Sequence, residues 1–213
     1  MRIISLAKKN ENDVAIIFDT GERLILSYEL VLKKGLRRDL NIDEDLYHLL
    51  IDENRKYFVK IKAARLLSRR IHSINELKLK LRKSGYEPRH IEQVITEFSE
   101  LNYLDDKKFA VQFIEEKKKL KRWGNNKIKA ELSKRGVQQQ IISDLLKTSD
   151  SDTDDMSNAV SLAEKKFRLI QKREIDRKKI KAKLMNYLFS KGFEYDVIRD
   201  VVNKLIDEDN SEL

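Results

Sequence analysis

Cysteine is absent from the 213 residues. No disulfide, thiolate nucleophile or cysteine-based metal site is available to the chain. The absence fits a reducing compartment. There is one proline and there are six glycines, so sharp turns are few. No apolar run approaches the roughly 20 residues that span a bilayer. The opening MRIISLAKKNENDV has no apolar core or small-residue cleavage site of the kind a signal peptide carries. These absences predict a soluble, cytoplasmic protein. Catalytic signatures are missing as well. The three histidines, His48, His72 and His90, fall in different helical or turn segments, with no Ser/His/Asp or HExxH spacing. Each is expected at the surface or partly buried. The glycines of GERLILS and WGNNK fit no phosphate loop. We therefore expect no enzyme, no cofactor and no metal.

Charge, by contrast, is abundant. Charged residues make up 38% of the chain, and Lys plus Arg exceed Asp plus Glu by 45 to 36, a formal net charge of +9. That balance predicts many exposed helical faces and favours polyanions or acidic protein surfaces as partners.

The first 27 residues differ from the rest. VAIIFDTGERLILS places apolar, largely β-branched runs on both sides of Asp19-Thr20-Gly21-Glu22, a hairpin signal. Ile3, Ile4 and Leu6 are placed to supply a third strand. So small a sheet must lean on the helices that follow. From Ser27 the periodicity is helical. Asn41, with Glu44 three residues on, predicts a helix start in the connecting region 28–53. SINE, Ser73 to Glu76, is a capping box ahead of Leu77 and Leu81.

An internal repeat organises the remainder. LKLKLRKSG, IKAELSKRG and LMNYLFSKG each place an apolar residue, then Leu four later, then Gly four later: Leu77, Leu81, Gly85; Ile128, Leu132, Gly136; Leu184, Leu188, Gly192. Six residues after each glycine come Ile91, Ile142 and Ile198. Nine and ten after come Val94-Ile95, Leu145-Leu146 and Val201-Val202. Each glycine sits where a helix should end in the left-handed conformation, and the second apolar set forms the next helix. A further helix precedes each pair, at about 54–70, 106–121 and 157–175. The predicted fold is mainly α: a tandem array of three three-helix repeats with a small N-terminal β-hairpin or sheet. The expected division is a β segment at 1–27, connecting helix at 28–53, and repeats at 54–104, 105–148 and 157–206. An acidic linker at 149–156, KTSDSDTDDMS in context, separates the last two repeats and would let the third move. An acidic tail is expected at 207–213.

Two stretches invite a chemical reading. In LDDKKFA, adjacent Asp105 and Asp106 resemble a metal or acid–base pair. A helix start accounts for every residue: Asp105 as N-cap, Asp106 in the first turn where the helix dipole favours an anion, and Leu104 with Phe109 spaced as a hydrophobic staple. No further ligands stand at metal-binding spacing. The basic runs are the second stretch. Residues 117–135 hold nine Lys/Arg against one acid, and 165–183 hold ten against two. Either is a solvated helix face when taken alone. Two such runs, with Trp123 beside Gly124 where a turn would expose the ring, predict an anionic groove or partner. No recognition-helix motif points to base-specific readout.

Three segments in order resemble the RecX family of bacterial regulators of the RecA recombinase. They are RIHSINELKLKLRKSG at 70–85, LNYLDDKKFA at 101–110 and GNNKIKAELSKRGV at 124–137. The signature positions are Ser73, Glu76, Leu77, Leu81 and Gly85; Asp105, Asp106, Phe109 and Ala110; and Gly124, Ile128, Glu131, Leu132 and Gly136. Asn102 stands where a glycine is common and Asn125 where a proline is, both at turns. The resemblance is close in the first two repeats and looser in the third. It implies a non-enzymatic, modular helical protein that binds RecA and lies in the groove of the RecA–DNA filament. It also implies restraint of ATPase, strand-exchange and co-protease activities, and hence a place in DNA repair, recombination and the SOS response. On charge and turn position, the expected partner- or DNA-contacting residues are Arg65, Arg69, Lys121, Arg122, Trp123, Lys127, Lys134 and Arg135. The alternative is a basic DNA-binding helical protein, acting on single- or double-stranded DNA without touching RecA.

Overall fold

The computed structural model describes residues 1–148 and 151–211. Strands β1 (Ile3–Lys8), β2 (Asp13–Phe18) and β3 (Arg23–Ser27) form one antiparallel sheet in the order β1-β2-β3. The helices that follow are α1 (Tyr28–Lys33), α2 (Glu44–Leu67), α3 (Ile74–Lys83), α4 (Pro88–Glu100), α5 (Asp106–Lys121), α6 (Asn125–Lys134), α7 (Gln139–Thr148), α8 (Ser151–Gln171), α9 (Arg177–Lys191) and α10 (Tyr195–Ser211). The chain divides into two compact units. Unit 1 comprises residues 1–71 and 77–103, and unit 2 comprises 72–76 and 104–213.

In unit 1, Gly21 turns the predicted hairpin at φ +85, and Ile16 pairs with both Leu6 and Leu24. One face of the sheet buries Ile3, Val14, Ile16, Phe18 and Leu26 against Leu30, Val31, Leu36, Ile42 and Leu50. The sheet is also tied to α2 by a buried amide. Asn54 Oδ1 accepts from the Ser27 N–H at 3.1 Å and its Nδ2 donates to the Ile25 carbonyl at 2.6 Å. This is the helical support a small sheet requires.

The start of α2 differs from expectation. Its N-cap is Asp43, whose side chain accepts from Leu46 N, rather than Asn41. Asn41 bridges to Arg2, and Ile42 N donates to Met1 O. That pairing holds 41–42 extended, so the helix can begin only after it. Two of the histidines are also more deeply placed than expected. His72 and His90 are each 2% exposed, and His90 Nε2 lies 2.9 Å from Asp52 Oδ1.

The repeat positions behave as one pattern. Leu77, Leu81, Ile128, Leu132, Leu184 and Leu188 are all fully buried. Ile91, Ile142 and Ile198 are buried as well, and Leu145 and Leu146 are partly buried against the second repeat's core. Gly85, Gly136 and Gly192 have φ of +84, +78 and +89, the left-handed helix end that glycine adopts without a Cβ penalty. Two cores of unit 2 follow the repeats. One gathers Phe109, Ala110, Phe113 and Ile114 with Ile128, Leu132, Val137 and Ile142. The other gathers Ala159, Ala163, Phe167 and Ile170 with α9 and α10.

The segment expected as a linker departs from its reading. Residues 149 and 150 lie outside the described residues, but α8 is already helical from Ser151. Asp155 is buried; its Oδ2 accepts from Asn125 N at 3.2 Å and its Oδ1 lies 3.4 Å from Lys118 Nζ. The acidic composition is therefore spent in part on internal partners. The second and third repeats fall within one compact unit. Gly124 N donates to Lys191 O and Asn126 N to Gly192 O, both at 3.0 Å. At the other end of the chain, α10 runs through Ser211, well into the stretch expected as a tail. Residues 212 and 213 lie outside the described residues.

Candidate interaction surface

LDDKKFA is a helix start. Asp105 is extended at φ −154, and its Oδ1 accepts from Lys107 N at 2.8 Å and Lys108 N at 3.0 Å. Leu104 and Phe109 are both buried. Asp106 does more than sit in a dipole: its Oδ1 accepts from Ile74 N at 2.9 Å, at the first residue of α3. Burial pushes its carboxyl above the usual carboxylate range; the Ile74 N–H opposes the shift and the Asp105 charge adds to it. Among the described residues, no three His, Asp or Glu side chains gather so as to hold a metal ion.

Unit 2 contains two joints in which the start of one helix meets the glycine end of another. At the first, Ser73 Oγ accepts from Glu76 N at 3.1 Å, as a capping box requires, and donates to the Arg135 carbonyl at 2.7 Å. The Glu76 carboxylate lies 3.3 Å from Arg135 Nε. A Cβ on Gly136 would fall 2.5 Å from Asn75 Cβ. At the second joint, a Cβ on Gly124 would lie 2.4 Å from the Gly192 oxygen, and one on Gly192 would lie 2.3 Å from Lys127 N. At the second joint, N–H groups at the start of α6 meet carbonyls at the end of α9, with the two dipoles complementary.

These joints sort the eight predicted contact residues. Arg65 and Arg69 are exposed and belong to unit 1; the other six belong to unit 2. Arg65 borders a recess of about 450 Å³ with Lys62, Tyr57, Phe58 and Tyr86. Lys121, Arg122 and Lys134 are exposed. Arg122 ends α5 in the left-handed conformation, φ +48, which turns the chain into Trp123.

Trp123, expected to be exposed, is half-buried: its ring meets Phe113 edge-on at 6.4 Å. Lys127 Nζ sits 4.9 Å above the Trp123 ring and donates to the Ser190 carbonyl at 2.9 Å. Arg135 stacks over Phe113 at 4.8 Å and pairs with Glu131 as well as Glu76. The Arg135 hydrogen bond is the leading reason the Glu131 carboxyl lies below its usual value. Lys127 and Arg135 are therefore committed to the joints, for which glycine ends and basic charge in one sequence gave no separate signal.

Sequence reasoning also passed over Lys166, Tyr187 and Lys191. The ammoniums of Lys166 and Lys191 lie 5.4 and 5.2 Å from the Tyr187 ring centre. The available signal was Lys183, Tyr187 and Lys191, recurring every four residues along one helical face. No helix among the described residues is long and apolar enough to cross a membrane.

Comparison with known proteins bears on all three repeats. Profiles of the first, second and third three-helix domains of RecX match residues 60–98, 105–146 and 152–202. The regulatory protein RecX of Clostridium perfringens strain 13 is 32% identical over 209 residues, covering 98% of this chain and 97% of its own. That of Clostridioides difficile strain 630 is 31% identical over 210 residues, covering 99% and 97%. A crystal structure of a regulatory protein RecX superposes with a TM-score of 0.75 at 18% identity, over 95% of this chain and 98% of that one. RecX from Lactobacillus salivarius gives 0.63 at 25%, over 72% and 97%. With three domain matches in order and relatives alike from end to end, this chain belongs to the RecX family of regulatory proteins.

Proposed function

We propose that the chain binds the RecA recombinase and its filament on DNA, restrains the filament's ATPase, strand-exchange and co-protease activities, and does so without catalysing a reaction. It would work in the cytoplasm, in DNA repair, recombination and the SOS response. The observation that carries the reading is the end-to-end likeness to regulatory proteins RecX, at 98% coverage of this chain. The surface supports it: Lys121, Arg122 and Lys134 remain exposed on unit 2, available to acidic protein faces or phosphates. We take the repeats as 54–104, 105–148 and 157–206, with the acidic stretch 149–156 between the last two.

The test is capture of RecA by the immobilised chain, with and without single-stranded DNA and a nucleotide. Capture that rises when all three are present supports filament binding. Capture of DNA alone, with no retention of RecA under any condition, favours the rival reading of a basic DNA-binding protein. The net charge of +9 is the observation that keeps that rival in play.

A further inference from the structure

Two aromatic rings of unit 2 each have two lysine ammoniums close to their centres. Trp123 has Lys127 Nζ 4.9 Å and Lys117 Nζ 5.9 Å from its centre. Tyr187 has Lys191 and Lys166 at 5.2 and 5.4 Å. The two clusters adjoin. Gly124, next to Trp123, donates its backbone N–H to Lys191 O, and Lys127 Nζ donates to Ser190 O. Beyond Tyr187, α8 and α9 border a recess of about 530 Å³ lined by Lys166, Leu169, Ile170, Lys172, Arg173 and Lys183. Glu174 neutralises Lys183 at 2.8 Å, and Glu116 pairs with Lys117. Among the described residues, no carboxylate pairs with Lys166, Lys172, Arg173 or Lys191.

We infer that this run, from Lys117 and Trp123 through Lys191 and Tyr187 to the α8–α9 recess, is a track for the phosphodiester backbone of a single-stranded polynucleotide. Its basic side chains are Lys117, Lys127, Lys166, Lys172, Lys183 and Lys191, with Arg173. Lys117 and Lys183 are paired and Lys127 is bonded to Ser190 O, so Lys166, Lys172, Arg173 and Lys191 carry the charge offered to a phosphate. Protein interfaces enrich arginine and deplete lysine. Lysines acting as point charges suit phosphates, whose binding releases counterions without demanding fixed geometry. The rings hold four of the ammoniums in place, so less side-chain freedom is lost when a phosphate arrives. The recess is not purely ionic: Leu169 is 54% exposed along it. An unpaired base can cover that apolar surface, whereas a duplex presents chiefly phosphates to a groove of this kind.

The inference rests on the reading of the chain as a regulator working on RecA–DNA filaments. Its test leaves RecA out, so the two fail separately. Trp123 is the only tryptophan in the chain, which makes its emission a reporter inside the track. Titrating the full chain with a thymidine oligonucleotide should change that emission saturably. Affinity should fall steeply with salt, and K166A/K191A should lower the salt slope by about 1.4, at about 0.7 per lost lysine contact on a single strand. Far-ultraviolet circular dichroism confirms that the variant is folded, and K62A, in unit 1, should leave the slope unchanged. An unaltered slope in folded K166A/K191A overturns the track. So does a matched duplex, or polyglutamate, that binds as tightly as the oligonucleotide.

Discussion

Asp105 and Asp106 are adjacent, yet their surroundings assign them different work. Asp105 holds two N–H groups of its own helix in a partly solvated position. Asp105→Ala should therefore cost about 1 kcal/mol, read as a lower urea midpoint at unchanged slope. Asp106 holds the Ile74 N–H across to α3, and its carboxyl is raised by burial first. A raised carboxylate binds its proton more tightly folded than unfolded. Its contribution to stability therefore falls as pH rises from the ordinary carboxylate value through the raised one. Asp106→Asn keeps an acceptor for Ile74 and removes that ionisation. It should be at least as stable as the parent at pH 7 and show a flatter pH profile, whereas Asp106→Ala should be less stable throughout. Denaturation across the pH range separates the three.

At the scale of elements, the three repeat glycines share a conformation but differ in surroundings. Nothing lies within 4 Å of a Cβ built on Gly85, whereas those on Gly136 and Gly192 strike Asn75 and the Lys127 backbone. Gly85→Ala should cost only the left-handed penalty, roughly 1–2 kcal/mol. Gly136→Ala and Gly192→Ala should cost more, with Gly192→Ala the worst because backbone must move. Chemical denaturation gives the ranking directly. The buried Lys118–Asp155 pair is a second element-scale test. At 3.4 Å the two are an ion pair without an aligned hydrogen bond, with side chains 9% and 6% exposed. Lys118→Met should be destabilising, by up to about 3–5 kcal/mol, because it removes the ammonium that faces the buried Asp155 carboxylate. Adding Asp155→Asn should restore part of that loss, since the amide oxygen still accepts from Asn125 N.

For the whole molecule, what matters is which cations remain available to a partner. Lys127 and Arg135 are tied into the joints, so reversing them would disturb the fold along with any surface. Lys121, Arg122 and Lys134 are free of that difficulty. Reversing these three to Glu should weaken inhibition of RecA ATPase on single-stranded DNA by tenfold or more, about 1.4 kcal/mol, with the helical signal unchanged. Full inhibition by the folded variant would move the RecA-contacting surface elsewhere on the molecule.

Local chemistry was enough for much of this protein. The turn at Gly21, the cap at Asp105, the glycine helix ends and the buried stripes at Leu77, Ile128 and Leu184 depend on neighbours a few residues away, and their spacing displays them. The RecX signature was legible for the same reason, because it is composed of those caps and stripes. Other features depend on partners distant in the chain. Asp43 rather than Asn41 starts α2 because Arg2 and Met1 hold the preceding residues extended. The acidic stretch before the third repeat is helical from Ser151, and its Asp155 is matched to Lys118 and Asn125. Trp123, Lys127 and Arg135 looked like surface by composition, and were drawn inward by Phe113, Ser190 and Glu76. Sequence determined the repeats and their ends; only tertiary structure decided which charges the joints consume and which face outward, because charge is written at every position but pairing is a property of space.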